Sequence, residues 1–333
     1  MKITDAHIHW WKEAGWYSPG YFWYVAQQEG TKSLPFRTPE EVMAEGEGLN
    51  AEDWAPFDPD GSGVLQDQKD AGIDVTLILP IDWGMMVYKG TDWWEDAPVP
   101  IEEINKASCD LAKANPGRVF SFCGVDPRRP NAVKIFEKAV TEWGAKGLKL
   151  YPPCGFHPAD PKCYRIYQKA LDLNVPITMH LASTSWMRGR MCRPAHIEDV
   201  AIDFPDLNFI IAHSGMQTRS DNAMWEEALS VAWTRPNVYM DISSWNEHGI
   251  GLTQDIPELI RKLRIECDML GAHHVLFGTD LPGFWMPYDR VETIRYVEIL
   301  QNLVEIAKDH GAVFSQEEVE LIAHGNAERI IGI

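Results

Sequence analysis

Cysteine is scarce in this chain and follows no pattern. The six residues Cys109, Cys123, Cys154, Cys163, Cys192 and Cys267 are spread over 333 positions, and none forms Cys-x-x-Cys. That argues against a disulfide framework and predicts reduced, buried thiols. Positive charge is also in deficit: 30 Lys and Arg stand against 49 Asp and Glu, a formal net charge of −19. Nucleic acids and anionic membranes require basic patches, so neither is an expected partner. A small anionic substrate stays open, because local arginines override global charge. No apolar run reaches the length of a membrane span, and the N-terminus has no apolar signal-peptide core. The expected location is therefore cytoplasmic. Internal repeats and low-complexity tracts are lacking. So is a Gly-x-Gly-x-x-Gly turn after the first strand, which weakens a dinucleotide-binding reading.

What is present is ordinary globular composition, 45% hydrophobic and 24% charged, in a chain long enough for one large α/β barrel or two average domains. The first nine residues organise the rest. Ile3-Thr4-Asp5-Ala6-His7-Ile8-His9 reads as a short strand ending in His-x-His. Side chains alternate along a strand, so His7 and His9 share a face and are placed to grip one metal ion.

From residue 74 onward, apolar strand-like runs alternate with helical sequence. Strands are predicted at 74–80, 119–124, 147–151, 175–180, 207–213, 238–241 and 275–278, with helices at 101–115, 131–143, 163–173, 197–204, 223–234, 256–270 and 290–309. With the first strand this makes eight, each followed by helical sequence. Apolar strands alternating with amphipathic helices imply parallel strands covered by helices. The expected fold is a single α/β domain over 1–333, a (β/α)8 TIM barrel, with a doubly wound open sheet as the alternative. Ser315-Gln316-Glu317-Glu318 is a capping box that predicts an extra C-terminal helix. Residues 10–63 are rich in aromatics, Gly, Pro and acids. They are expected to form an irregular insertion or cap whose aromatics pack onto the barrel or floor a substrate pocket.

Polar residues recur at the predicted C-terminal ends of the strands, where a barrel keeps its site. They are His7 and His9, Lys149, His180, His213, Asp241 and Asp280. Each follows an apolar run, where such a side chain is costly without a partner. His180 is a candidate metal ligand. Asp280 is a candidate anionic ligand that also holds or activates a bound water. His213 is a ligand or a general acid/base, and Asp241 supports a neighbour or bonds a strand end. Lys149 has three readings: substrate contact, carboxylated bridge between two metals, or structural ion pair. Arg188, beside Trp186, is a candidate grip for a substrate carboxylate, along with Arg190 and Arg193. His157, His196 and His248 sit in loops on the same side, and His273, His274, His310 and His324 have structural readings.

The motifs Asp5-Ala6-His7-Ile8-His9, Gly147-Leu148-Lys149-Leu150-Tyr151-Pro152, Ile210-Ile211-Ala212-His213-Ser214-Gly215, Phe277-Gly278-Thr279-Asp280 and Gly325-Asn326-Ala327-Glu328-Arg329 are similar to those of the amidohydrolase superfamily, in its amidohydrolase-related branch. The resemblance spans nearly the whole chain. It implies His7, His9, His180 and Asp280 as metal ligands, and His213 as a catalytic or second-metal histidine. It also implies one divalent ion, zinc foremost, with a second if Lys149 is carboxylated. The branch holds hydrolases and non-oxidative decarboxylases. This chain keeps the His-x-His of the aminocarboxymuconate-semialdehyde decarboxylase type, whereas the resorcylate type has Glu where His7 stands. The leading expectation is a metal-dependent hydrolase of a small carboxylate-bearing or cyclic substrate, using a metal-activated water with Asp280 and His213 as catalytic residues. The alternative is a metal-dependent decarboxylase of an aromatic or muconate-type acid. A non-catalytic barrel with a structural metal is the third reading. A homodimer is the default assembly.

Overall fold

The computed structural model describes residues 1–32, 34–46, 57–90, 93–182, 187–218, 222–246, 250–281 and 286–333, the side chains of 286–289 excepted. Nine short strands follow in chain order: β1 Thr4–Ile8, β2 Val75–Ile78, β3 Val119–Ser121, β4 Cys123–Gly124, β5 Leu148–Leu150, β6 Ile177–Met179, β7 Phe209–Ile211, β8 Val238–Asp241 and β9 Val275–Leu276. Every pairing is parallel, and neighbours in sequence are neighbours in space. β3 and β4 are one stave interrupted at Phe122, whose N–H still donates to Ile78 O at 2.9 Å.

The sheet then closes on itself. Ala6 N–H donates to Phe277 O at 3.0 Å and Asp280 N–H to His7 O at 2.7 Å, joining the last stave to the first. An open doubly wound sheet has no such contact, so the fold is the (β/α)8 barrel. Nearly every strand residue is buried, as expected where helices cover a parallel sheet.

The helices form where apolar residues recur at helical spacing. Helix Ala132–Thr141 buries Ala132, Ile135, Phe136 and Ala139 along one stripe. Helix Pro161–Asp172 buries Cys163, Ile166, Tyr167 and Ala170 in the same way, behind an Asp160 cap on Lys162 N and Pro161 at its first position. The expected capping box is formed at Ser315 and Glu318. The last helix, Asn326–Ile331, sends Ala327, Ile330 and Ile331 into an apolar cluster with Leu77, Phe122 and Ile210. All six cysteines are free and buried. No helix among the described residues is long and apolar enough to cross a membrane.

Two readings need correction. The segment after β1 is not wholly irregular. It holds helix Pro19–Gly30, started by Ser18 and Pro19, and helix Pro39–Glu45, started by a Thr38–Glu41 capping box. Proline at the first helical position is a starter, because its missing N–H has no intrahelical partner there. The barrel helix after β1, Ser62–Asp70, begins at the end of this segment. The long helix expected at 290–309 is two, Met286–Gln301 and Leu303–Asp309. Asn302 breaks it: its side-chain amide donates to Glu298 O at 2.8 Å.

Candidate metal centre

The site assembles on the rim where the strands end. His7 and His9 leave β1 and the residue after it, Lys149 lies in β5, His180 follows β6, His213 follows β7, Asp241 ends β8 and Asp280 lies four residues beyond β9. All are buried apart from the partly exposed Asp280.

The ring nitrogens that face inward are set from behind. His7 Nδ1 lies 3.0 Å from Asp241 Oδ2, and an ionised carboxylate only accepts, so this nitrogen carries the proton. His9 Nδ1 lies 2.6 Å from Leu79 O, a carbonyl that also only accepts. Both Nε2 atoms therefore turn lone pairs into the site, and that of His7 accepts from Lys149 Nζ at 2.9 Å. They meet Asp280 Oδ1 at 3.2 Å from His7 and 3.1 Å from His9. Three acceptors facing one another repel unless a cation stands among them. Asp280 Oδ1 is itself buried without a hydrogen-bond donor, a state that costs about 1–3 kcal/mol or more. These spacings fit ligands at about 2.0–2.1 Å around a tetrahedral ion, whose ligand–ligand edges are about 3.3 Å. The donor set therefore fits a divalent metal. The carboxylate behind His7 and the carbonyl behind His9 are the supports such ligands use.

A second cluster, His7, His213 and Asp241, is held by its own protons. Asp241 Oδ1 accepts from His213 N at 2.9 Å and from the Ser243 hydroxyl. His213 Nδ1 lies 2.8 Å from Ser243 Oγ and 3.1 Å from Ser244 Oγ. Both hydroxyls give their hydrogens to carboxylates, Ser244 to Asp280 Oδ2 at 2.7 Å, so they accept from His213. His213 Nε2 is then an acceptor for His180 Nδ1 at 3.2 Å. His180 Nε2 remains, buried and without a partner. His180 is thus one imidazole removed from the group of His7, His9 and Asp280, while presenting a free lone pair of its own.

Lys149 Nζ lies 2.9 Å from His7 Nε2. Burial pulls its pKa down to about 8 against the opposing pull of Asp280 and Asp241. Burial, with Lys149 and His7 nearby, brings His213 down to about 4, so it is neutral at pH 7. Burial alone would raise Asp241, but the His7 Nδ1–H it accepts holds it well below the ordinary carboxylate range.

The backbone is strained here. Six described residues other than glycine have positive φ, and four are His213, Ser214, Ser244 and Asp280. Left-handed backbone at such residues is costly and concentrates at functional sites. Gly278 has a separate reason: a Cβ there would fall 2.9 Å from His7 Cβ and 3.0 Å from Ser243 Cβ.

Of the other candidates, Arg188 donates to Val87 O at 3.2 Å and to Gly90 O, tying two loops together. It also lines a cleft of about 800 Å³ with Trp23, Tyr24 and Lys89. Arg190 lines the same cleft, and Arg193 pairs with Glu227. Trp186 and His248 lie outside the described residues. The rings of His157 and His196 pack together at 4.1 Å, and His274 stacks on Tyr239. Sequence reading passed over Asp5, Ser243 and Ser244. Asp5 accepts from Thr279 Oγ1 at 2.6 Å and from His7 N at 3.1 Å, and burial raises its pKa to about 7. Its place in the His-x-His strand, and the Ser-Ser pair just after Asp241, were the available signals.

A family model described as amidohydrolase matches residues 4–333. No curated protein matches in sequence. Among solved structures, 5-carboxyvanillate decarboxylase from Novosphingobium aromaticivorans, complexed with manganese and 4-hydroxy-3-methoxy-5-nitrobenzoic acid, aligns with TM-score 0.66 at 13% identity, covering 100% of this chain and 96% of that one. A probable 2-pyrone-4,6-dicarboxylic acid hydrolase from Acinetobacter baumannii aligns with TM-score 0.61 at 13% identity, covering 100% of both chains. An amidohydrolase from Burkholderia multivorans with bound zinc aligns with TM-score 0.65 at 14% identity, again covering 100% of both. At these identities the likeness is one of fold.

Proposed function

The chain belongs to the amidohydrolase family, and from that premise we propose that it is a metal-dependent hydrolase of a small cyclic or carboxylate-bearing substrate. One observation carries the reading: His7 Nε2, His9 Nε2 and Asp280 Oδ1 turn three lone pairs on one another, and the Lys149 amine that donates into the group meets His7 Nε2 alone, leaving Asp280 Oδ1 without a donor. These three residues would hold the ion, with His180 Nε2 the nearby lone pair still unpartnered. Zinc and manganese, each present in a structure of the same fold, both suit nitrogen and carboxylate donors. When bound, such an ion polarises a carbonyl and brings the pKa of water to near 7.

The chain's own groups divide the remaining work. Asp280 takes the proton of the attacking water in this reading. Ser244 fixes its other oxygen at 2.7 Å. His213 and His180 stand beside it as a hydrogen-bonded pair. Lys149 donates to the same His7 lone pair that the ion would use. One lone pair serves one partner, so with an ion held there the Lys149 amine would lose this bond. Lys149 is then free to meet a substrate carboxylate or to be carboxylated and hold a second ion.

A second reading is a metal-dependent decarboxylase of an aromatic or muconate-type acid. What favours it is the aromatic surface beside the site: Trp11 stacks on His9 at 5.3 Å, and Tyr151 packs on His180 at 4.6 Å. The fold neighbours include both a probable hydrolase and a decarboxylase, so fold does not choose.

The test is elemental mass spectrometry on freshly purified protein, then assay of the metal-loaded enzyme. About one ion per chain keeps Lys149 as a substrate contact. About two makes it a carboxylated bridge and favours hydrolysis. Proton release from lactones and esters supports the first reading, and CO₂ release from hydroxybenzoates and muconate-type acids supports the second. A chain that takes up no metal even on reconstitution sinks both.

A further inference from the structure

The cleft of about 800 Å³ has the size of a small-molecule site, and no residue of the metal centre lines it. Its wall comes from three places on the rim: Trp23 and Gln27 of helix Pro19–Gly30, Lys89 and Gly90 after β2, and Arg188 and Arg190 after β6. The chain as a whole has 49 acidic residues against 30 Lys and Arg. This wall reverses that balance: it holds Lys89, Arg188 and Arg190 and, among the described residues, no aspartate or glutamate. Cations gathered along a concave surface focus a positive field there, against the sign of the whole.

The three cations are not equivalent. Arg188 is engaged with the backbone, Nε donating to Val87 O at 3.2 Å and Nη2 to Gly90 O. It thereby satisfies carbonyl oxygens that would oppose an anion. Arg190 is exposed and makes no hydrogen bond or ion pair among the described residues. Lys89 has one carboxylate nearby, Glu40 Oε1 at 3.7 Å from its Nζ, and both side chains are well exposed. A surface pair of this kind contributes about 0–1 kcal/mol and gives way to a better partner. The backbone at Lys89 is left-handed, with φ of 52°, and Gly90 follows at 135°. Outside the metal centre the only other described non-glycine residue with positive φ is Asn174, a type that tolerates it, as lysine does not. Such strain costs about 1–3 kcal/mol and gathers where ligands are held.

We propose that the cleft between helix Pro19–Gly30 and the Lys89 and Arg188–Arg190 loops is a second ligand site, separate from the metal centre, where Lys89 and Arg190 bind a compact anion of two or more charges. Arg188 is a positioning residue in this assignment, tying one loop to the other. An ammonium and a guanidinium both suit phosphate and carboxylate oxygens, so the class of ligand is set by its charge. The inference stands independently of the metal reading.

The test is titration calorimetry on the metal-loaded full chain with two probes, inorganic pyrophosphate and propane-1,2,3-tricarboxylate, which separate a phosphate ligand from a polycarboxylate. At least one is expected to bind with a Kd of about 1 mM or tighter at low salt, and more weakly as salt is added. Arg190→Gln and Lys89→Gln should each weaken that probe by about tenfold at unchanged melting temperature, the effect of one lost charge-assisted hydrogen bond. Lys106→Gln removes an exposed charge elsewhere and should leave the affinity as it was. His9→Ala disturbs the metal centre and should also leave it as it was. Binding of neither probe, or an unaffected Arg190→Gln, would overturn the proposal. So would an equal loss in Lys106→Gln, which would show only general charge attraction, or loss of binding in His9→Ala, which would place the anion on the ion. Metal content, read on each sample, keeps failure here distinct from failure of the metal site.

Discussion

Asp241 Oδ2 lies 3.0 Å from His7 Nδ1 and thereby decides which nitrogen of that ring faces the site. An acceptor behind the ring fixes the proton on Nδ1 and turns the Nε2 lone pair into the site. Asp241→Asn removes the charge and presents either a donor or a neutral acceptor at that point. Metal affinity is expected to fall by about 10–100-fold. Competition with a chelator of known affinity measures it, and an unchanged affinity would place His7 outside the ligand set.

The inward-facing lone pairs also predict how the protein responds to losing its ion. Whatever binds the folded chain alone stabilises it, by about 2.7 kcal/mol at a hundredfold excess over Kd. Chelation should therefore lower the melting temperature by several degrees and readdition should restore it. His9→Ala should melt at one temperature with or without chelator.

Gly278 passes so near His7 and Ser243 that a methyl group has no room. Gly278→Ala should cost about 1–3 kcal/mol by overpacking. Because the atom displaced is His7 Cβ, metal content should fall along with stability. A variant that loses stability and keeps full metal content would show the crowding to be relieved elsewhere.

Glu266 supplies a pH signature from outside the proposed ligand set. It is fully buried, accepts from Trp225 Nε1 at 2.8 Å, and burial raises its pKa to about 7. Between the model-peptide range and 7 the folded chain holds a proton that the unfolded chain has released. The stabilisation is complete below about 4.5 and is lost as pH rises through 7, amounting to about 3 kcal/mol in all. Glu266→Gln should flatten the decline in unfolding free energy between pH 5 and pH 8 in urea titrations. A slope identical to that of the unaltered chain would sink the assignment.

Periodicity made the barrel legible from residue 74 onward. Runs such as 207–213 and helices such as Ala132–Thr141 carry their burial pattern in one dimension, because apolar spacing is the same information as a buried face. The segment after β1 was less legible. Its helices start at prolines and hold few amphipathic turns, so punctuation that reads as breaking was in fact starting.

The same division runs through the site. Position after an apolar run was enough to single out His7, His9, Lys149, His180, His213, Asp241 and Asp280, since a polar side chain there is costly without a partner. What each ring nitrogen does was beyond sequence. Leu79 O behind His9, Asp241 behind His7 and Ser243 behind His213 come from other strands, and only the closed barrel brings them within hydrogen-bond distance. Arg188 shows the converse: its place in the chain suggested a carboxylate grip, and folding turned its guanidinium onto the carbonyls of Val87 and Gly90. The sequence by itself determined which residues reach the rim, because one strand's alternation is local. Tertiary structure decided which lone pairs face the site, because a tautomer is set by the atom behind the ring.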